Sequence, residues 1–196
     1  MTIHLDSAAF LKSAAEPKGF IRDGLPQIAF AGRSNVGKSS CINRLCRNQS
    51  LSRVSGTPGK TAHVNYFTLC PEKSRQPAAY LVDLPGYGFA RVSEAEKERW
   101  GTLMEQYFAE NDALRLVCVL IDVRHEPKPD DLTMLSFVNG RYPFVVVANK
   151  CDKLKPSERP ALLDNLRHTL RCPILPFSAQ SGEGKEELIR LILQSL

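Results

Sequence analysis

A chain of 196 residues, 43% hydrophobic and 24% charged, has the size and balance of one α/β domain with a full core. Its longest apolar run, Leu116–Ile121, falls far short of the roughly 20 residues that a membrane-spanning helix needs, and the opening stretch MTIHLDSAAFLKSAAEPKGF resembles neither a secretory signal nor a transit peptide. The net charge of +5 is unevenly placed: no acidic residue lies between Asp23 and Glu72, a window that holds Arg33, Lys38, Arg44, Arg47, Arg53 and Lys60. Part of that charge suits a phosphate-binding loop, and the surplus is consistent with an RNA-facing patch.

Residues 1–22 read as an extension packed on a single domain that spans 23–196. Short apolar runs predict buried strands at Gln27–Ala31, Ala78–Leu84, Leu116–Asp122, Phe144–Asn149 and Ile174–Phe177. His63–Leu69 alternates polar and apolar, as an antiparallel edge strand with one wet face does. Helical segments lie between them: Ser39–Cys46, then Ser93–Glu110 with a capping box at Ser93 and Glu96. Asp130–Asn139, Ser157–Leu170 and Glu183–Leu193 follow. Strands alternating with helices predict a doubly wound, mostly parallel sheet. Residues 50–61 form one long irregular segment, a length that marks functional loops. Six cysteines without C-x-x-C spacing predict reduced, buried thiols in a cytoplasmic protein, and the scattered histidines suggest no zinc site.

After the first strand the chain reads Gly32-Arg33-Ser34-Asn35-Val36-Gly37-Lys38-Ser39, followed by Ser40. This is G-x-x-x-x-G-K-[ST] at a strand–helix junction, where backbone N–H groups and the helix N-terminus cradle phosphates. Lys38, taken as a solvent-facing charge, would reach the β- and γ-phosphates, and the Ser39 hydroxyl would ligate Mg²⁺. Asn149-Lys150-Cys151-Asp152 names the base. A carboxylate at Asp152 accepts from guanine's N1–H and 2-amine, a donor pair that adenine lacks. Asn149 would brace the loops, and the Lys150 stem would lie over the base. Ser178-Ala179-Gln180, after the last strand, offers a backbone N–H to the guanine oxygen.

Asp83-Leu84-Pro85-Gly86 supplies the γ-phosphate sensor, with Asp83 holding Mg²⁺ through water and the Gly86 N–H on the phosphate. Thr61, at the end of Gly59-Lys60-Thr61, is the candidate second Mg²⁺ hydroxyl, and Thr57 is its competitor. The residue after Gly86 is Tyr87, where many hydrolytic switches carry a glutamine that orients water. Tyr87 is expected as an exposed aromatic that can stack on a base.

With these motifs the chain resembles the EngB family of the TrmE–Era–EngA–EngB superfamily of GTPases. The resemblance runs from Phe10 to the last helix and rests on GRSNVGKSS, PGKT at 58–61, DLPGYGFA, and Ile121-Asp-Val-Arg-His-Glu-Pro127 with Asp131 and Met134. It implies a Ras-like P-loop domain that binds GTP and GDP and serves assembly of the large ribosomal subunit, with a link to cell division and septation; the alternatives are a nucleotide-gated binding module in which hydrolysis is incidental, or a GTPase of tRNA modification or signalling. A monomer without a membrane partner is expected. The resemblance favours Thr61 over Thr57. Asn149 departs from the threonine of many relatives, and either side chain can brace the loop. Related GTPases that use K⁺ carry an asparagine at the position of Asn35, so this residue is a candidate for holding that ion and supplying the missing catalytic charge. The ribosome as activator, and Asn35 as a mere tolerator of an awkward backbone angle, stay open beside it.

Overall fold

The computed structural model describes residues 2–52, 63–88, 94–109 and 111–196. Among these, seven strands form: β1 (Ala9–Ala14), β2 (Gln27–Gly32), β3 (Val64–Leu69), β4 (Ala79–Asp83), β5 (Leu114–Asp122), β6 (Phe144–Asn149) and β7 (Ile174–Pro176). Five helices join them: α1 (Lys38–Leu45), α2 (Glu94–Phe108), α3 (Pro129–Val138), α4 (Arg159–Leu170) and α5 (Lys185–Gln194). Every element expected from the apolar pattern is present, with ends shifted by two residues at most. The proposed Ser93–Glu96 capping box falls outside what is described, since Ser93 is not among those residues.

The strands make one sheet in the order β1-β3-β4-β2-β5-β6-β7. Only β3 runs against the others, pairing antiparallel with β1 on one side and β4 on the other. The antiparallel edge is therefore two strands deep. Strand β1, which no apolar alternation announces, covers β3, and side-chain bonds fasten the two: Ser13 Oγ donates to Asn65 Oδ1 at 2.6 Å, and Thr68 Oγ1 to the Ala9 carbonyl at 3.3 Å. The wet face expected of β3 is absent because both of its faces are packed, Val64 and Tyr66 into one core and Phe67 and Leu69 into the other. Val64, Tyr66, Phe67 and Leu69 are buried, and Asn65 and Thr68 half-buried.

Helices cover both faces of the sheet, as the alternating pattern requires. On one face Ile42 and Leu45 of α1 and Leu188 and Ile192 of α5 pack over Ile28, Phe30 and Leu120. On the other, Leu103, Met104, Tyr107 and Phe108 of α2 and Met134 and Val138 of α3 meet Ala29, Val117 and Val119. Helix α4 closes the far end with Leu163 and Leu166 against Ala148 and Cys151. Strand β2 is buried at every position. The Gln27 amide is satisfied inside this core: its Nε2 donates to the Ile21 carbonyl at 2.9 Å and its Oε1 accepts from the Tyr107 hydroxyl at 3.0 Å. Among the described residues, no helix is long and apolar enough to cross a membrane. The six cysteines are unbridged, four of them buried.

Candidate functional site

Parallel strands end together, so residues far apart in sequence collect at one edge. Here the loop 33–37 leaves β2, Asp83 ends β4, Asp122 ends β5, Asn149 ends β6 and Ser178 follows β7 closely. Every candidate residue in the described part of the chain stands at this carboxyl edge. Gly59, Lys60, Thr61 and the competing Thr57 lie outside the described residues.

The loop after β2 turns through two left-handed residues, Asn35 (φ 63°) and Gly37 (φ 99°), before α1 starts at Lys38. A Cβ on Gly37 would collide with the side-chain amide of Asn149. Glycine is thus required there both for the backbone angle and for the room. Ser39 and Ser40 continue into α1, half-buried. The expected solvent-facing Lys38 is not observed. Its Nζ pairs with Asp83 Oδ1, and the two side chains are only 12% and 5% exposed. Adjacent parallel strands bring this about: Asp83 pairs in register with Phe30 of β2, beside the loop that carries Lys38. Ser52 Oγ donates to the other oxygen of Asp83 at 3.0 Å. Ser52 is itself held by the buried Asn43, through Ser52 N to Asn43 Oδ1 at 2.7 Å and Asn43 Nδ2 to the Ser52 carbonyl at 2.9 Å.

Asn149 donates from Nδ2 to the Val36 carbonyl at 2.9 Å, joining the end of β6 to the phosphate-type loop. Lys150 takes a left-handed conformation (φ 71°) and sends Nζ to the Asn35 carbonyl and to Asp122 Oδ2, each at 2.8 Å. Arg124 grips the same Asp122 carboxylate through Nε at 2.9 Å and Nη2 at 2.7 Å. Burial would raise the Asp122 carboxyl, but the hydrogen bonds from Arg124 and then Lys150 outweigh it and hold the group well below the usual carboxylate range. At Asp152 the Ser178 hydroxyl donates to Oδ1 at 2.6 Å, and this bond leads the causes that lower the Asp152 carboxyl. Asp152 therefore stays an ionised acceptor.

Tyr87 is not the exposed aromatic that its glycine neighbours suggest. It is 3% exposed, with its hydroxyl donating to Asp131 Oδ1 at 3.1 Å and its ring edge-on to Trp100 at 5.8 Å. Desolvation and then Asp131 push its phenol far above the ordinary value. Its backbone is pinned as well, with Ser34 N donating to the Tyr87 carbonyl at 2.9 Å and Tyr87 N to the Gly32 carbonyl at 3.3 Å. Gly86 is drawn onto the loop so closely that a Cβ would meet Ser34 Oγ at 3.1 Å. The sequence could not show this, because the partner Asp131 sits on α3, far along the chain.

The basic window also resolves differently from a free patch. Lys38 is paired, Arg33 is half-buried with its Nε enclosed, and Arg44 donates to the Ala179 and Gln180 carbonyls. Arg47 alone among the described members is exposed. Asp122, Ser52 and Arg44 are site residues that motif reading missed. Each stood near a broader signal, Asp122 in the Ile121–Pro127 stretch, Ser52 in the 50–61 segment and Arg44 in the basic window, but none was assigned a contact at the site.

The edge fits a polar ligand. Asn149 Oδ1 and Ser34 Oγ are buried with no partner among the described residues, and buried polar atoms are almost always satisfied. Among the described residues no group of three or more His, Cys, Asp and Glu could hold a metal. A divalent ion here would take its ligands from hydroxyls, water and the ligand's own oxygens, as Mg²⁺ at phosphates does.

A family model described as "50S ribosome-binding GTPase" matches residues 27–150. A probable GTP-binding protein EngB of Exiguobacterium is 42% identical over 193 residues, covering 96% of this chain and 95% of that protein. Its counterpart in Syntrophomonas wolfei is 46% identical over 167 residues, covering 84% and 83%. Among solved structures, a probable GTP-binding protein EngB superposes with a TM-score of 0.69 at 25% identity, over 86% of this chain and 97% of that one. Aquifex aeolicus Era bound to GDP and AlF₄⁻ shares the fold, with a TM-score of 0.66 at 23% identity over 88% and 57%.

Proposed function

The chain belongs to the EngB family of GTP-binding GTPases, and on that premise we propose that it hydrolyses GTP to GDP and phosphate in assembly of the large ribosomal subunit, in the cytoplasm. The observation that carries the nucleotide reading is the junction of Asn149 with Val36 and Gly37. It supports reading the base-reading segment and the phosphate loop as one receptor for a guanine nucleotide. Residues 23–196 act as the single GTPase domain, and the extension 1–22 contributes β1 to its sheet.

In this reading the N–H groups of residues 32–40 wrap the phosphates and Lys38 releases Asp83 to engage the β- and γ-oxygens. Asp152, kept ionised by Ser178, accepts from the guanine edge, and the backbone at Ser178–Gln180 meets the 6-oxygen. The Lys150 stem, steered by Asp122, lies along the base. Mg²⁺, held by the Ser39 and Thr61 hydroxyls and through water by Asp83, would neutralise phosphate charge. Gly59 and Lys60 lead the switch segment to Thr61, and Leu84 and Pro85 present the Gly86 N–H to the γ-phosphate. The reaction is in-line attack of water with mostly electrostatic catalysis.

Tyr87 faces Asp131 and does not orient the water, and we assign the missing group to a source outside the chain. A K⁺ ion at Asn35 is one source. In support, the Asn35 side chain is exposed and hydrogen-bonds to no described residue. The ribosomal particle is the other, in keeping with the family model's description. Isolated turnover is then slow, on the order of 10⁻⁴–10⁻³ s⁻¹. Single-turnover hydrolysis in matched KCl and NaCl, with Asn35→Ala beside the unmodified protein, tests the ion. Equal rates in both salts would assign activation to the particle. Co-sedimentation with large-subunit particles in GTP, GDP and nucleotide-free buffer tests the ribosomal role, and absence from the particle fraction in all three would refute it.

A further inference from the structure

We propose that Arg44, which no recognised motif contains, is a positioning residue that sets guanine selectivity at the 6-position by holding the Ser178–Gln180 loop. The proposal rests on the reading that this loop meets the guanine 6-oxygen.

Arg44 stands in the last turn of α1, the helix whose first residue is Lys38. Its Nε donates to the Ala179 carbonyl at 2.8 Å and its Nη2 to the Gln180 carbonyl. The face of the guanidinium lies against Gly182 (φ 87°), where a Cβ would sit 3.6 Å from Arg44 Cζ. The rest of the loop is pinned from within. Gly182 N donates to the Ser178 carbonyl at 2.9 Å, Ser178 N to the Glu183 carbonyl at 3.0 Å and Ser181 N to Ser178 Oγ at 3.0 Å.

These bonds fix successive peptide planes. The unit that carries the Ala179 N–H is held at its other end by Gly182, through the Ser178 carbonyl. The next unit is held by Arg44 Nε, through the Ala179 carbonyl. Among the described residues, the Ala179 and Gln180 N–H groups donate to no acceptor. The loop thus presents free donors while the Ala179 and Gln180 carbonyls are held on one cation. A fork of donors on a rigid guanidinium suits this task, because both carbonyls are gripped without reorganisation. Without it, two carbonyls lose charged partners and the peptide between them is free to rotate.

Arg44 touches no part of a nucleotide in this scheme, so its effect must appear as a loss of selectivity at the position the loop reads. Three diphosphates separate the contacts. IDP keeps the 6-oxygen and N1–H but lacks the 2-amine. 6-Thio-GDP keeps N1–H and the amine but presents sulfur, a weak acceptor, at position 6.

Equilibrium binding of GDP, IDP and 6-thio-GDP is measured for the unmodified protein, Arg44→Ala and Arg44→Lys. The unmodified protein should prefer GDP over 6-thio-GDP. Arg44→Ala should weaken GDP and IDP together by about 10-fold, with little change for 6-thio-GDP, so the first preference collapses and the GDP-to-IDP ratio is kept. Arg44→Lys retains the cation at the helix end, grips one carbonyl, and should fall between; it also serves if the alanine variant does not fold. An equal loss for all three ligands, or an unchanged GDP to 6-thio-GDP ratio in both variants, overturns the positioning role. Equal binding of GDP and 6-thio-GDP by the unmodified protein overturns the base-loop reading itself, and the proposal with it.

Discussion

Replacing Tyr87 by phenylalanine removes one hydroxyl from a buried site and leaves the backbone pairing with Gly32 and Ser34 intact. The hydroxyl is 3.1 Å from Asp131 Oδ1, and Asp131 is 4% exposed. Its other oxygen keeps the bond from Lys128 N at 3.0 Å, which caps α3. Loss of a hydrogen bond to a buried charged acceptor costs about 1.5–3 kcal/mol. For a domain of this size that lowers the melting temperature by about 3–12 °C. The loss carries a pH signature. Burial, ahead of every other cause, already raises the Asp131 carboxyl, against the opposing bonds from Lys128 and Tyr87. A carboxyl raised in the folded state contributes stability that is present below its unfolded value and lost as pH climbs through the folded one. Removing the Tyr87 donor raises it further, so the penalty should grow from acid toward neutral pH. Tyr87→Ala adds the ring, including its edge-on contact with Trp100, at a further 3–5 kcal/mol. That total rivals the 5–15 kcal/mol that holds most domains folded, so phenylalanine is the informative variant. Urea unfolding across pH 4–8 gives the stability, and single-turnover hydrolysis gives the chemistry, which should change by no more than a few-fold. Unchanged stability with turnover reduced tenfold or more would show that the phenol acts in catalysis and that its bond to Asp131 is incidental.

Lys38→Ala should abolish turnover and also destabilise the fold by about 3–5 kcal/mol, since it strands Asp83 with only the Ser52 hydroxyl; adding Asp83→Asn should recover most of the stability, and strict additivity in denaturant melts would refute the pairing. Asp152→Asn exchanges an acceptor for a donor and should move preference from GDP to XDP, as read by competition binding; an unchanged order would remove Asp152 from base recognition. Asp122→Asn should weaken GDP and GTP alike by roughly tenfold through loss of the Lys150 anchor. The same variant should flatten the acid limb of stability below about pH 4, because a carboxyl lowered in the folded state stabilises above its unfolded value and loses that contribution as pH falls; identical acid limbs would argue against it.

Much of this molecule could be read from residues in order. The strands of the sheet centre are runs of Val, Ile, Leu and Phe too short for helices, and the loop at 32–39, Asp83–Gly86 and Asn149–Asp152 are contiguous words. What escaped was relational. Strand β1 contains the exposed Phe10 and Leu11, so its sequence lacks the alternation of a half-buried strand, and only its pairing with β3 defines it. Lys38 reads as a surface lysine until β4 is placed beside β2. Arg44 looks like part of a basic patch until β7 delivers the 179–180 carbonyls to it. Tyr87 invites comparison with a catalytic glutamine until Asp131 meets its hydroxyl. In each case the deciding partner lies on another element, and no local pattern carries that information.

The seam between Gly37 and Asn149 constrains how the protein is made. Strand β2 is translated early, yet it lies mid-sheet, between β4 and β5. The carbonyl of Val36 waits for an amide that is the last residue of β6. At ordinary elongation rates, on the order of ten seconds separates the two. A nascent chain therefore carries its glycine-rich loop before the amide that ties it to the base-reading segment exists. Binding competence should arrive late and all at once, when β6 closes on β5.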